Sequence, residues 1–174
     1  RLDWLLSHTT MLRYDDVQHF RFWPQFRSFL LWEMEREYSE EKRRALFSRG
    51  ALYYELKEDY AHALECYTRC GDHAKVSELL IRNAELHPGM GHYSEMEKHY
   101  RSLPEAEIAA SPALMQGMSM LCALAMDYEG SERWYHELQE FGKRRGRNDA
   151  AGKQARSRLA WLDISLPQRG VEGL

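Results

Sequence analysis

Residues 45–70, ALFSRGALYYELKEDYAHALECYTRC, share their pattern with residues 113–138, ALMQGMSMLCALAMDYEGSERWYHEL, which lie 68 positions further along the chain. The paired positions are apolar, small or aromatic in both copies: Ala45, Leu46, Leu52, Tyr53, Leu56, Ala63, Tyr67 and Cys70 match Ala113, Leu114, Met120, Leu121, Leu124, Ser131, Tyr135 and Leu138. This spacing is twice the period of about 34 residues that is typical of tetratricopeptide helix pairs.

A weaker copy lies between these two segments. Its residues Leu80, Ala84, Met96, Tyr100 and Leu103 follow Leu46, Gly50, Ala63, Tyr67 and Cys70 by 33 or 34 positions. Each copy ends with a small or apolar residue, an aromatic residue four positions on and an apolar residue three further, which places all three on one helix face. The pattern predicts an all-α fold, a right-handed superhelix of tetratricopeptide-like helical hairpins.

The first 23 residues follow a different pattern. Residues 10–14 and 19–23 flank Asp15-Asp16-Val17, which predicts a β-hairpin with its turn at the acidic pair. Residues 24–166 form the predicted repeat domain, and residues 167–174 are predicted to be a frayed tail. Helix starts are indicated by Pro24, Ser39, Asp59, Asp72, Pro112 and Asp149, and helix ends by Gly71 and Pro104.

Composition restricts the class of partner. The formal net charge is -3 and the sequence pI is about 6.3, so the chain lacks the basic excess that nucleic-acid binding usually requires. The one basic cluster comprises Lys143, Arg144, Arg145, Arg147, Lys153, Arg156 and Arg158, and we expect it to be a solvated helix end and connection. We expect no nucleic acid and no membrane as partners of this segment.

Cysteine usage and the termini indicate the compartment. The chain has three cysteines without the spacing of a disulfide framework, and its longest apolar run, residues 118–126, is too short to cross a membrane. No secretory leader is recognisable, so we expect a cytoplasmic protein. Because the sequence opens with Arg1, we expect it to be a fragment of a longer chain.

One set of residues has ligand types suited to a metal. His62, Cys66 and Cys70 are spaced four apart on a predicted helix and His73 follows, so the four could form a tetrahedral zinc site. Cys70 already occupies a core position of the repeat, however, and buried free cysteine is common. We expect no metal, no catalytic residue and no enzymatic activity. A metal-dependent enzyme is the third and weakest hypothesis.

Aromatic residues are the candidates for a partner-binding surface, since aromatic side chains are favoured anchors at interfaces. Most of them lie on the repeat stripe and are expected in the core. Tyr54 and Trp134 lie one position away from the stripe, and we expect these two to be exposed and to bind a partner. Gly50, Ala84 and Gly117 fall where the helices of each pair are expected to cross closely.

Several segments together resemble one family, the large ATP-binding LuxR-type transcriptional regulators typified by MalT. Residues 20–30, FRFWPQFRSFL, resemble the family's Tyr-Arg-Tyr-His-Pro-Leu-Phe segment, with Trp23 and Gln25 at positions that differ. Ala63-Leu64, then Cys70-Gly71-Asp72 and Val76-x-x-Leu79-Leu80, resemble its helix, Gly-Asp, helix junction. Leu103-Pro104-Glu105 and Ser111-Pro112-x-Leu114 are similar to its Leu-Pro-Glu and Pro-x-Leu connection.

The resemblance implies that residues 1–23 are the C-terminal part of a winged helix and that the rest begins a signal-reading arm. Such an arm senses a protein or small-molecule effector and supports self-association, whereas ATP and DNA are bound elsewhere in the full-length family. No phosphate-binding loop occurs in this chain, so no cofactor is expected here. The alternative is a stand-alone tetratricopeptide-like adaptor that binds a partner peptide.

Overall fold

The computed structural model describes residues 12–16, 19–86, 91–145 and 149–166. Within these ranges, side chains are described for residues 21–86, 93–145 and 149–166. Two strands are followed by helices: β1 Leu12–Asp16, β2 His19–Phe22, α1 Pro24–Glu37, α2 Glu40–Leu56, α3 Tyr60–Cys70, α4 His73–Leu86, α5 Gly91–Tyr100, α6 Glu105–Ala109, α7 Pro112–Leu124, α8 Tyr128–Arg144 and α9 Ala150–Ser165. The all-α class is confirmed. The predicted tail, residues 167–174, lies outside the described residues.

The predicted β-hairpin is present, but its first strand runs into the segment that was expected to form the turn. β1 and β2 pair antiparallel, with Leu12 opposite Phe22 and Asp16 opposite His19. The register shifts between Tyr14 and Asp16, as at a β-bulge. β1 therefore extends through the acidic pair that the sequence assigned to the turn.

The chain divides into two compact units, Arg1–Leu46 and Phe47–Leu174. In the first unit, aromatic rings follow one another from the end of β2 along α1. Phe22 meets Phe26 edge-on at 5.5 Å between ring centroids, and Phe26 stacks on Phe29 at 6.3 Å. Helix α1 has no buried residue, so it presents no core face among the described residues.

In the second unit, α7 is the central helix. Every residue from Pro112 to Cys122 is buried, and α7 packs against α4, α5, α6, α8 and α9. Such a helix has no solvent face, which explains why its sequence is apolar all round. None of the helices in the described part of the chain has both the length and the apolar character that a membrane span needs.

The repeat is visible in the backbone of two turns. Glu58, between α2 and α3, and Met126, between α7 and α8, both adopt the left-handed conformation, with φ of 58° and 61°. In each turn the next residue is an aspartate, Asp59 or Asp127, whose carboxylate accepts a hydrogen bond from the amide three residues on. The aspartate amides also donate to equivalent carbonyls, Tyr54 O at 2.9 Å and Cys122 O at 2.8 Å. The two hairpins thus share one turn, 68 residues apart.

Small residues form the helix crossings at equivalent positions. Ser119 of α7 meets Ser131 of α8, with 3.1 Å between the hydroxyl oxygens, and both are fully buried. The counterparts of these serines in the first hairpin are Ala51 and Ala63, which are also fully buried. Between α7 and α8, these small side chains let the two helix backbones approach closely.

The first copy is nevertheless more exposed than the second. Leu52 and Tyr53 of α2 are 52% and 54% exposed, whereas their counterparts Met120 and Leu121 are buried. The expectation that Tyr53 lies in the core was therefore wrong. Helix α7 packs against both earlier and later helices, whereas α2 spans the boundary between the two units, at Leu46 and Phe47.

The close approach at Gly117 generates a first prediction. A methyl group added there would come within 2.6 Å of the Tyr100 ring, whereas one at Gly50 would meet Cys66 Sγ at an ordinary 3.5 Å. We expect Gly117→Ala to cost about 1–3 kcal/mol of unfolding free energy through overpacking. Gly50→Ala, the matched control, should be neutral or stabilise by up to about 1 kcal/mol. Urea denaturation measures both, and equal stability of the two variants would contradict the assigned packing.

The shared turn generates a second prediction. A side chain at positive φ is strained, and Met126 is 77% exposed, so its side chain contributes little packing. We expect Met126→Gly and Glu58→Gly each to stabilise the protein by about 0.5–1 kcal/mol. Glu137→Gly, on the exposed face of α8, is the control and should destabilise by about 1 kcal/mol. Thermal melts in which all three glycine variants lose stability would show that the turn is not left-handed.

Candidate functional site

A cleft of about 490 Å³ opens on one side of α7, where α4 and α9 lie beside it. Its volume falls within the range of small-molecule binding sites, about 300–1,000 Å³. The lining residues are Ala84, Glu85, Gln116, Lys153, Gln154, Ser157, Arg158 and Trp161.

The inner wall of this cleft carries a polar pair. Gln116 is only 1% exposed, although it lies in the most apolar of the described helices. Its side-chain oxygen accepts a hydrogen bond from Arg158 Nη1 of α9 at 2.9 Å. A buried amide needs such a partner, and the bond also fixes the direction of the half-buried guanidinium.

The charge of the cleft is positive, unlike that of the whole chain. Lys153 and Arg158 line it, and Glu85 is the one acidic residue among the described residues of the lining. Within the described ranges, neither Lys153 nor Arg158 forms an ion pair with a carboxylate. A half-buried guanidinium that is bonded to a neutral amide keeps its full charge, and its other N–H groups can bind an anion.

Two tyrosines of α5 lie within the electrostatic reach of Arg158. Burial raises the pKa of Tyr93 and of Tyr100, and the positive charge of Arg158 opposes the rise in both. Tyr93 is 4% exposed, and its hydroxyl has no hydrogen-bond partner among the described residues. The region around Arg158 thus contains a second polar group whose hydrogen-bonding capacity is unused.

A second cleft, of about 610 Å³, lies where α5, α6, α7 and α8 meet. Its two arginines are paired: Arg133 contacts Glu105 at 3.1 Å, and Arg101 contacts Glu97 at 2.7 Å. Burial raises the pKa of the Cys122 thiol in this cleft, so Cys122 is poorly suited to act as a nucleophile. Because its cations are already paired, this cleft is the weaker candidate.

The exposure expected for the two candidate anchors was wrong. Trp134 is 3% exposed and belongs to the core, where it forms part of the wall of the second cleft. Helix α8 buries Ser131, Trp134 and Leu138, so its inward face is rotated from the stripe read in the sequence, and Tyr135 is half-buried. Tyr54 is also half-buried, and its ring stacks on His62 at 5.0 Å.

The four candidate metal ligands are not brought together. The described residues contain no group of three or more histidine, cysteine, aspartate or glutamate side chains that could hold a metal. His62 Nδ1 bonds to Asp59 at 2.8 Å, and Cys70 Sγ donates to the Tyr67 carbonyl at 3.3 Å. Cys66 faces Gly50, and His73 begins α4. All three cysteines are free thiols.

Polar contacts join the second helices of neighbouring hairpins, α3 and α5. Glu65 of α3 is paired with Lys98 of α5 and with Arg69 Nε at 2.8 Å. Thr68 Oγ1 lies 2.7 Å from Nδ1 of His99, which is 3% exposed rather than solvated. Burial lowers the pKa of His99, so this histidine is neutral near pH 7.

The Glu65 cluster generates a third prediction. Burial acts to raise the pKa of Glu65, but hydrogen bonds and charges from Lys98 and Arg69 outweigh it and lower the pKa from 4.5 to about 2. The pKa of Glu65 is lower in the folded state than in the unfolded chain. The stabilisation that the ionised carboxylate gives the fold is therefore complete above about pH 4.5 and is lost as the pH falls toward 2.

We therefore expect Glu65→Gln to lower the unfolding free energy at pH 7 by about 1–2 kcal/mol, after allowance for solvent screening. The gap between variant and wild type should close between pH 4.5 and 2. Urea titrations at several pH values measure it, with the exposed Glu137→Gln as control. A gap that stays constant with pH would mean that the carboxylate charge is not responsible.

The residues that line the first cleft were not singled out as a site from the sequence. Lys153 and Arg158 were assigned to a solvated basic cluster. One signal was present: Lys153, Ser157 and Trp161 are spaced four apart, which is one face of α9. Gln116, a polar residue inside an apolar helix, was the other signal.

Comparison with protein-family models, with curated proteins and with solved structures finds no match to this chain.

Proposed function

We propose that this chain is a non-enzymatic, protein- or effector-binding scaffold, the signal-sensing and assembly segment of a MalT-like, ATP-dependent LuxR-type transcriptional regulator. The observation that carries the scaffold part is the turn shared by residues 58–59 and 126–127, with the same backbone conformation, cap and hydrogen bonds. A turn reproduced to this detail supports repeated units, and helical repeats function mainly as binding surfaces.

The contacts support stacking of the hairpins into a right-handed superhelix. Helix α3 packs against α4 and α5, which are the two helices of the next hairpin. Helix α7 packs against its own partner α8, against the preceding α4 and α5, and against the following α9. Contacts restricted to neighbouring units are the signature of a repeat array.

The regulator part of the proposal rests on the sequence resemblance and on element order. A β-hairpin runs directly into a helix that begins at Pro24, as the resemblance implies for the end of a winged helix. In this proposal residues 24–166 read an effector in the cytoplasm and support self-association. ATP and DNA would be bound by other parts of the full-length protein. The exposed Leu52, Tyr53 and Leu56 of α2 offer apolar surface for self-association.

A stand-alone adaptor that binds a partner peptide is the alternative. It is favoured by the same scaffold and by the positive cleft between α4, α7 and α9. It needs neither an ATP-binding module nor a DNA-binding helix.

The fourth prediction separates these two functions. The coding sequence on both sides of residues 1–174 should encode a phosphate-loop ATPase with a winged helix upstream and a helix-turn-helix downstream. Sequencing the flanking DNA and the transcript tests this directly. A start codon just before Arg1 together with a stop codon just after Leu174 would contradict the regulator and leave the adaptor.

A further inference from the structure

We propose that the cleft between α4, α7 and α9 binds a carboxylate, with the Arg158 guanidinium as its primary contact and Lys153 as a second cation. The inference names the ligand chemistry of the scaffold proposed above and rests on that proposal. Three features of the cleft carry it: the fixed guanidinium, the excess of positive charge and the apolar wall next to it.

The guanidinium is positioned before any ligand arrives. One of its nitrogens, Nη1, is engaged by the Gln116 oxygen at 2.9 Å, and Gln116 is itself held in the buried face of α7. The planar guanidinium presents five N–H donors, so the bond to Gln116 leaves donors for a second partner. A fixed guanidinium loses little conformational entropy when it binds a carboxylate, which favours binding at this point.

The charge in the cleft selects an anion. Lys153 and Arg158 face one acidic residue, Glu85, and in the described part of the chain no carboxylate pairs with either cation. In the other cleft, by contrast, Arg101 and Arg133 are both paired with glutamates. Removing a half-buried cation from water without a counter-charge is unfavourable, and a ligand anion would offset that cost.

The neighbouring wall indicates what the anion is attached to. Trp161 is half-buried and packs against the core, so part of its indole ring lines the cleft. An apolar or aromatic group next to the carboxylate would contact this surface. A free aromatic acid and the C-terminus of a peptide that ends in an apolar residue both offer this chemistry.

The experiment uses the 174-residue protein, labelled with ¹⁵N, and matched pairs of probes. The first pair is 3-phenylpropionate and its neutral amide, 3-phenylpropionamide. The second pair is the peptide Ala-Ala-Ala-Phe with a free or an amidated C-terminus. Titrations followed by NMR chemical shifts at constant ionic strength give the dissociation constants.

We expect each acid to bind at least about tenfold more tightly than its amide, the scale of one charge-assisted contact to a carboxylate. Arg158→Lys should weaken acid binding about tenfold, because lysine keeps the positive charge but lacks the planar pair of N–H donors that can bind both carboxylate oxygens. Lys153→Gln should weaken binding severalfold, and Glu85→Gln should strengthen it. Arg156→Gln makes the same charge change as Lys153→Gln on a residue of α9 outside the lining, and it should leave the affinity unchanged.

Binding of the acid probe alone would identify a small-molecule carboxylate, and binding of the peptide as well would identify a chain terminus. Acids and amides with equal affinity would overturn the proposal. An Arg156→Gln variant that loses as much affinity as Lys153→Gln would also overturn it, since binding would then depend on the overall positive charge of α9 and not on the cleft. Lys153 is exposed, so its variant reports on binding even if Arg158→Lys does not fold. The result is independent of the flanking sequence, so the regulator assignment can fail while the carboxylate site holds.

Discussion

The packing of α7 against its neighbours is the constraint on which the second unit depends. A helix with no exposed side from Pro112 to Cys122 must be enclosed by other helices, and one close approach among them is that of Tyr100 to Gly117. Tyr100 is 1% exposed and lies where a side chain at position 117 would otherwise be. The same enclosure places α4 and α9 beside α7, and this arrangement creates the positive cleft.

The backbone repeat and the side-chain repeat are conserved to different degrees within the chain. The turns at Glu58 and Met126 agree in φ, capping and hydrogen bonds because each is set by local contacts of a few residues. The hydrogen bonds of the equivalent residues Tyr67 and Tyr135 differ, because they depend on which helices lie next to each tyrosine. The Tyr67 hydroxyl donates to Glu55 of the preceding helix, whereas that of Tyr135 donates to Asp163 of the following helix. Equivalent residues therefore link different pairs of helices.

Most of the helices could be predicted from the sequence, since their limits are set by local chemistry. Asp59 and Asp149, both predicted helix starts, cap α3 and α9 as side-chain acceptors, and Gly71 ends α3 in the left-handed conformation. Helix α6 was not predicted because five residues are too few to show a helical period. The burial of Trp134 was missed for a different reason: the face that α8 presents is decided by the helices packed against it, not by its own spacing. The cleft was missed because its walls, near residues 84, 116 and 158, are brought together only by the fold.

Native-state hydrogen exchange tests the central role of α7 most directly. If α7 is the enclosed helix around which the second unit packs, its amides from Met115 to Leu121 should exchange only through global unfolding, and their free energy of opening should equal the unfolding free energy from urea denaturation. The amides of α2 should exchange with a lower free energy, since its outer face is exposed. Amides of α7 that exchange as readily as those of α2 would contradict the account.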